Sequence, residues 1–242
     1  MKFLFIIFGM YQLSFSYNIE DKGREIIAQI VADPAKFFYE MKSDSELTLP
    51  VNSGKKFIYN VELFPTLIPF TYINSSINYN LYKEGKISVN IPQIDIFGGF
   101  QYMLGGKIAA NESEYIDDAK FWGYHVGVLI SNSMSSKIRT FYGYKHSYLK
   151  ANLELNPLKE FEILGVNINS FKSDFNEDSI IFGIETLKDI NKYWAIQINY
   201  GFRNNTLVGR LSWYGRWFEL GFNIYPEGVL VIHPVWILRL GF

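Results

Sequence analysis

The sequence predicts an all-β fold, an antiparallel up-and-down transmembrane β-barrel of ten strands within a range of eight to twelve, preceded by a short helix. Three observations predict it. Apolar and polar residues alternate along successive segments, the turns between those segments preserve the register, and the final segment keeps an apolar face to its last residue. On that segment Trp236, Leu238, Leu240 and Phe242 share one face, and Arg239 and Gly241 share the other.

Composition agrees with this class. Aromatic residues make up 18% of the 242-residue chain, with 17 Tyr and 21 Phe, while the mean hydropathy is close to zero. Abundant aromatics at neutral average hydropathy suit a surface that alternates between lipid and water. The net charge of −1 provides no field for nucleic acid. Cysteine is absent, which excludes disulfides, thiolate metal sites and a lipid-anchored N-terminal Cys.

At the N-terminus, Lys2, the apolar run Phe3 to Met10 and the small residues of Ser14-Phe15-Ser16 predict an export signal over residues 1–16. The run is too short to span a bilayer as a helix, which needs about 20 residues. Residues 17–56 then form a helix and a polar linker. Ile26, Ile27, Ile30 and Val31 recur at helical spacing, and Pro34 ends or kinks the helix before a second short turn over Ala35 to Met41. The expected place for this helix is the lower rim of the barrel, with a lumenal plug or an interfacial helix as alternatives. Ser43 to Lys56 is the linker.

From Phe57 to Phe242 the period becomes two, which defines the barrel. The clearest strand puts Trp194, Ile196, Ile198, Tyr200 and Phe202 outward against Gln197, Asn199 and Arg203. Its successors put Leu207, Leu211 and Trp213 outward, then Phe218, Leu220, Phe222 and Ile224. Upstream, Trp122, Tyr124, Val126, Val128 and Ile130 oppose His125, and Ile180, Phe182 and Ile184 oppose Glu185. Even turns at Asn204-Asn205 and Tyr214-Gly215, and an odd one at Pro226-Glu227-Gly228, fit the changes of parity.

Eleven segments alternate in this way, and barrels of this kind have even strand numbers. Leaving out residues 57–64, which Pro65 and Pro69 interrupt on their far side, gives ten; splitting 86–103 near Pro92 would give twelve. With ten strands and a periplasmic C-terminus, Trp122, Trp194, Trp213, Trp236 and Phe242 all fall at the periplasmic end as an aromatic girdle. The same count places the polar loop Gly105 to Ala119 on the periplasmic side, against the usual preference of long loops for the cell exterior.

The inward faces carry His125, Glu185, Arg203, Arg210, Glu219 and Arg239. A turn at Tyr214-Gly215 sets Arg210 directly opposite Glu219 as a cross-strand ion pair. Such charges either fill a narrow lumen or tune a small pore. Catalysis is not expected. His146-Ser147 is a strand pair with opposed side chains, and His233 would need a Ser from Ser131, Ser133, Ser135 or Ser136. No metal or nucleotide motif is present, and no cofactor is expected.

The export signal, the alternating strands and the ending at Phe242 resemble the small single-chain outer-membrane β-barrel proteins of Gram-negative-type bacteria. The resemblance implies an outer-membrane location, contact with lipid, and insertion by the barrel-assembly machinery. It also implies that Trp236, Leu238, Leu240 and Phe242 form the assembly signal. The function expected is a non-enzymatic one, a narrow channel or a surface-exposed structural or binding component. The alternatives are a lipid-modifying hydrolase or acyltransferase and a soluble exported β-barrel or β-sandwich that binds a partner.

Overall fold

Alternation of period two along ten segments builds one closed antiparallel barrel in the computed structural model, which describes residues 19–41, 56–64, 72–86, 91–186, 192–228 and 231–241. The export signal over 1–16, most of the linker and Phe242 lie outside the described residues.

The strands are β1 (Phe57–Phe64), β2 (Tyr72–Tyr82), β3 (Gln93–Met103), β4 (Ile116–Ser133), β5 (Ile138–Leu155), β6 (Phe161–Ile163), β7 (Val166–Ile168) and β8 (Phe171–Thr186). They continue with β9 (Tyr193–Gly201), β10 (Leu207–Tyr214), β11 (Phe218–Ile224) and β12 (Ile232–Gly241). Neighbours in sequence pair in space except that β5 pairs with β8, and β1 closes the ring on β12 through Ile58↔Gly241 to Phe64↔Trp236. We call the rim where β12 finishes and β1 starts the near rim, and the opposite one the far rim.

Ten strands form the barrel, but one of them differs from the expectation. Residues 57–64 are β1, a full member that pairs on both sides, because Pro65 follows the strand and removes no hydrogen bond from its ladder. The segment 160–171 folds instead as the separate two-stranded hairpin β6–β7. Its turn, Leu164-Gly165, holds both residues at positive φ (51° and 79°), the geometry of a tight hairpin.

Removing one strand at this point reverses the direction of everything upstream. The segment after β3 therefore sits at the far rim, where residues Leu104–Glu112 form a helix, α3, packed on β4. The near-rim connections 134–137 and 215–217 are short and 83–92 is longer, while, among the described residues, the two connections that hold secondary structure of their own, α3 and β6–β7, lie at the far rim. The 105–119 segment therefore lies at the rim opposite the end of β12, not at the same rim as the sequence count expects.

Turn positions shift as well. β10 and β11 are joined at Arg216-Trp217, with Gly215 N donating to Phe218 O at 2.7 Å, so Tyr214 faces Glu219 and Arg210 faces Asn223. The β9–β10 connection spans 202–205, and Asn205 takes positive φ (53°).

Before the barrel come α1 (Ile19–Ala32) and α2 (Pro34–Met41). Pro34 starts α2 because it needs no backbone donor there, and Asp33 caps it by accepting Lys36 N at 3.0 Å. The helices do not pack on the near rim. Ala35 and Tyr39 of α2 are buried against Ala119, Phe121, Leu149, Ala151 and Phe175 on the inner faces of β4, β5 and β8 at the far end. Phe38 lies 4.3 Å from Phe121 and Tyr39 4.3 Å from Phe175, ring centre to ring centre. The inner wall there is apolar and has no other occupant among the described residues, which is why the helix goes in rather than under. Glu40 reaches Gly228, so α2 crosses the far mouth from β8 to the β11–β12 connection.

Candidate functional site

The inner face is lined by side chains that alternation alone turns inward: Asn74, Ser76, Asn78 and Asn80 on β2; Gln197 and Asn199 on β9; Arg210 and Ser212 on β10. Most are fully buried. They hold one another in discrete networks.

On β10–β12, Arg210 bonds the Glu219 carboxylate, and Ser212 Oγ donates to the same oxygen at 2.8 Å while accepting Arg210 Nε at 3.0 Å. Arg210 lies four residues from the position facing Glu219, and its long side chain covers that offset past Ser212. Beside them, Arg239 donates to Tyr193 Oη at 3.2 Å and lies 4.9 Å from the centre of the Tyr214 ring, which stacks on Tyr193 at 4.5 Å.

Across the lumen at the near rim, Arg139 Nη2 donates to Gln93 Oε1 at 2.6 Å. Gln93 Nε2 and Asn80 Nδ2 each donate to Asp95 at 2.6 Å. Glu84 lies 3.7 Å from Arg139 and accepts Ser133 N and Oγ at 2.8 Å, tying two near-rim turns together. Above this layer Phe97, Leu129, Phe141 and Ile181 form an apolar plug, where the Phe141 ring lies so close over Gly183 that a Cβ there would approach its Cζ within 2.0 Å. Near the far end, buried Glu177 accepts Arg203 N at 2.8 Å, Thr206 Oγ1 at 3.0 Å and Asn204 N at 3.2 Å, which fixes the β9–β10 turn.

Of the six lumen charges expected, His125, Glu185, Arg210, Glu219 and Arg239 are buried on the inner face. Arg203 is not among them. Its side chain is half exposed and pairs through Nε with Asp178, which points outward with Tyr144 and His146. The strand ends at Gly201, so the alternation that would have turned Arg203 inward stops before it. Sequence reasoning missed Arg139, Gln93, Asp95, Lys145 and Glu177. The parity of Tyr142 and Tyr144 on β5 would have exposed two of them, because Arg139 and Lys145 occupy the opposite positions.

Nor do the tryptophans share one level. Trp194 and Trp213 pair directly at the near rim, and Trp236 joins the same row through Leu220. Trp122 faces Tyr102 and Lys150 towards the far end, a consequence of the reversed direction of β4. It packs there with Tyr148, 5.5 Å away, and Tyr148 with Tyr124 at 5.7 Å. Leu238 and Leu240 are outward neighbours of buried Ile237 and Arg239 on β12.

Among the described residues, the charged groups of the lumen are sequestered from solvent. Arg139, Gln93, Asp95, Glu177 and Glu219 have no solvent-accessible surface, so no water-lined passage touches them. No cluster of metal-ligating side chains occurs among the described residues. The Ser–His pairing considered for catalysis is not assembled, since His233 sits towards the far rim and Ser131, Ser133, Ser135 and Ser136 at the near rim. His146 faces outward while Ser147 is buried.

The outer face is the complement. Every barrel strand exposes at least one large apolar side chain, among them Ile77, Phe100, Val126, Tyr142, Phe182, Ile198, Leu211, Leu220 and Trp236. Comparison with known protein families and with curated proteins found no match to this chain.

Proposed function

We propose that the protein is a non-enzymatic bacterial outer-membrane β-barrel with a closed lumen, acting as a surface-exposed structural or binding component. One observation carries the proposal. On β4, β5 and β8 the outer face is apolar up to one row, His146↔Asp178 with Val126, carries the aromatic rings of Tyr124, Tyr148 and Trp122 just beyond it, and is polar further out. Below the row stand Val128, Ile130, Tyr142, Tyr144, Ile180, Phe182 and Ile184; above it stand Lys120, Lys150, Asn152, Asp174 and Lys172. The inner face mixes Arg139, Lys145, Ser147 and Glu177 with the apolar cluster of Leu129, Phe141 and Ile181 up to this row, and beyond it is lined by Leu149, Ala151, Phe121 and Phe175.

Soluble monomers rarely expose a continuous apolar patch beyond a few hundred Å², and this one encircles the barrel. From Thr186 to Asp178 the band rises roughly 20 Å, taking about 3.3 Å per residue and a tilt near 40°, comparable to the ~25 Å apolar band of such barrels. The two longest connections, 104–115 and 156–170, lie at the far rim, which favours a periplasmic near rim and an exterior far rim. In this reading export, outer-membrane lipid and the barrel-assembly machinery take the places the sequence assigns to them. The channel form of the reading is disfavoured by the inaccessible lumen charges, and the cap of α1, α2, α3 and β6–β7 is the surface available to a partner.

Membranes from expressing cells, washed in alkaline carbonate, are expected to retain the protein until detergent is added. The extracted protein should migrate faster on a gel unheated than boiled. Release by carbonate alone would overturn the membrane reading. Refolded protein in planar bilayers is expected to pass no current, and stepwise conductance would restore the channel.

A further inference from the structure

We propose that the outer surface at the far edge of the apolar band, formed by β5, β8 and the β9–β10 turn, binds the phosphate group of a membrane lipid through Arg203 and His146; this rests on the membrane reading. Asp178 organises the site. Its carboxylate accepts Tyr144 Oη, His146 Nδ1 at 2.8 Å and Arg203 Nε, and so orients both cationic or potentially cationic groups on the outside of the wall.

Arg203 has donors left over, and His146 has one at Nε2 when its ring carries both protons. Arg203 engages Asp178 through Nε only, and its terminal nitrogens meet no acceptor among the described residues. Its side chain is 51% exposed. His146, held by Nδ1, leaves Nε2 without a partner among the described residues. A guanidinium fork with free terminal N–H groups matches a phosphate, which accepts two parallel bonds. Two outward pairs further along, beyond Tyr148↔Asn176, Lys150 projects from the outer face opposite Asp174, so that pair adds no net charge to the site.

Depth selects the ligand. The site lies where the apolar outer face gives way to the aromatic rings of Tyr124, Tyr148 and Trp122 and then to polar residues, the interfacial level at which a lipid carries its phosphate above its chains. Exposed Phe202 level with it, and Tyr200 and Phe182 just below, offer apolar surface for those chains. Arg203 is half exposed although Asp178 is only 19% exposed, so the charge that remains available at this level is positive.

The test uses the full-length protein in phosphatidylcholine bilayers with spin-labelled phosphatidic acid or a spin-labelled glucosyl diacylglycerol of equal chain length. Wild type is expected to associate with phosphatidic acid roughly tenfold more strongly than with the phosphate-free lipid. Arg203→Ala is expected to remove most of that preference, Arg203→Lys to keep part of it, and Asp178→Asn to leave or raise it. Equal association of both lipids with wild type, or an unchanged preference in Arg203→Ala, overturns the proposal. Displacement of phosphatidic acid by millimolar inorganic phosphate overturns the lipid as the source of the phosphate. Failure of the membrane reading looks different, because no lipid of either kind would then show motional restriction at the protein.

Discussion

The wall of the barrel and its far extension are made from the same three strands, yet they are inverted with respect to each other. In the wall, β5 turns Tyr142 and Tyr144 out and Arg139 and Lys145 in; a few residues on, it turns Lys150 and Asn152 out and Leu149 and Ala151 in. Nothing in the backbone changes between the two stretches, which continue one ladder with β4 and β8. The extension is an ordinary sheet packed on a helix, with its core inside, and the wall keeps its apolar side where a soluble protein keeps its charges.

The largest expected effect concerns the inner networks. Arg210→Ala strands the Glu219 carboxylate in a site with no accessible surface, and urea unfolding of the refolded barrel should show a loss of about 3–5 kcal/mol. A much smaller loss would mean that water reaches Glu219 and that the lumen is open.

The comparison itself is broken or upheld by one substitution on each side of the boundary. Phe182→Arg, on the outer face of the wall, is expected to cost about 2–4 kcal/mol in lipid. Asn152→Arg, on the outer face of the extension, is expected to stay within about 0.5 kcal/mol of wild type. Equal tolerance at both positions would indicate that both face water.

On the boundary, Glu177→Ala removes the acceptor for three backbone donors and the Thr206 hydroxyl, and should cost about 1.5–3 kcal/mol. Faster hydrogen exchange confined to the β9–β10 turn would sharpen that assignment. Smallest is Lys159→Ala at the far surface. Lys159 donates a hydrogen bond to Glu114 and holds its carboxyl below the usual range, so the pair's contribution exists above the ordinary carboxylate pKa and fades as the pH falls through the lowered one. Both groups are exposed, and unfolding at neutral pH is expected to be unchanged within error.

Much of this fold was legible in the sequence. The inward and outward assignments of β9 to β12 follow from period-two alternation, because those strands stay in one pair of environments along their length. Which segments make the ring was harder to see. Pro65 looked disruptive but falls after β1, while Phe161, Ile163, Val166 and Ile168 alternate well enough to imitate a strand. The turn that breaks them, Leu164-Gly165, lacks the Asn or Asp that usually announces positive φ at its first position. That single misreading turned β4 upside down and carried Trp122 to the wrong end. The pairing of Arg210 with Glu219 survived a wrong turn because an arginine is long enough to absorb the error. The helix site could not be foreseen, since the inner face of β4, β5 and β8 becomes apolar only beyond a row whose position depends on the whole ring.

The seam between β1 and β12 bears on how the molecule is made. Ile58 meets Gly241, so the first strand of the ring acquires its second neighbour only from the last. All the other barrel ladders join strands close in the chain, whereas this one closes nearly the full length of the polypeptide and is the most expensive loop in entropy. Until it forms, β1 and the growing end present open edges that invite pairing with other chains. The order of assembly is therefore written into the topology: β1 must wait, protected on one side only, until nearly all of the protein has arrived.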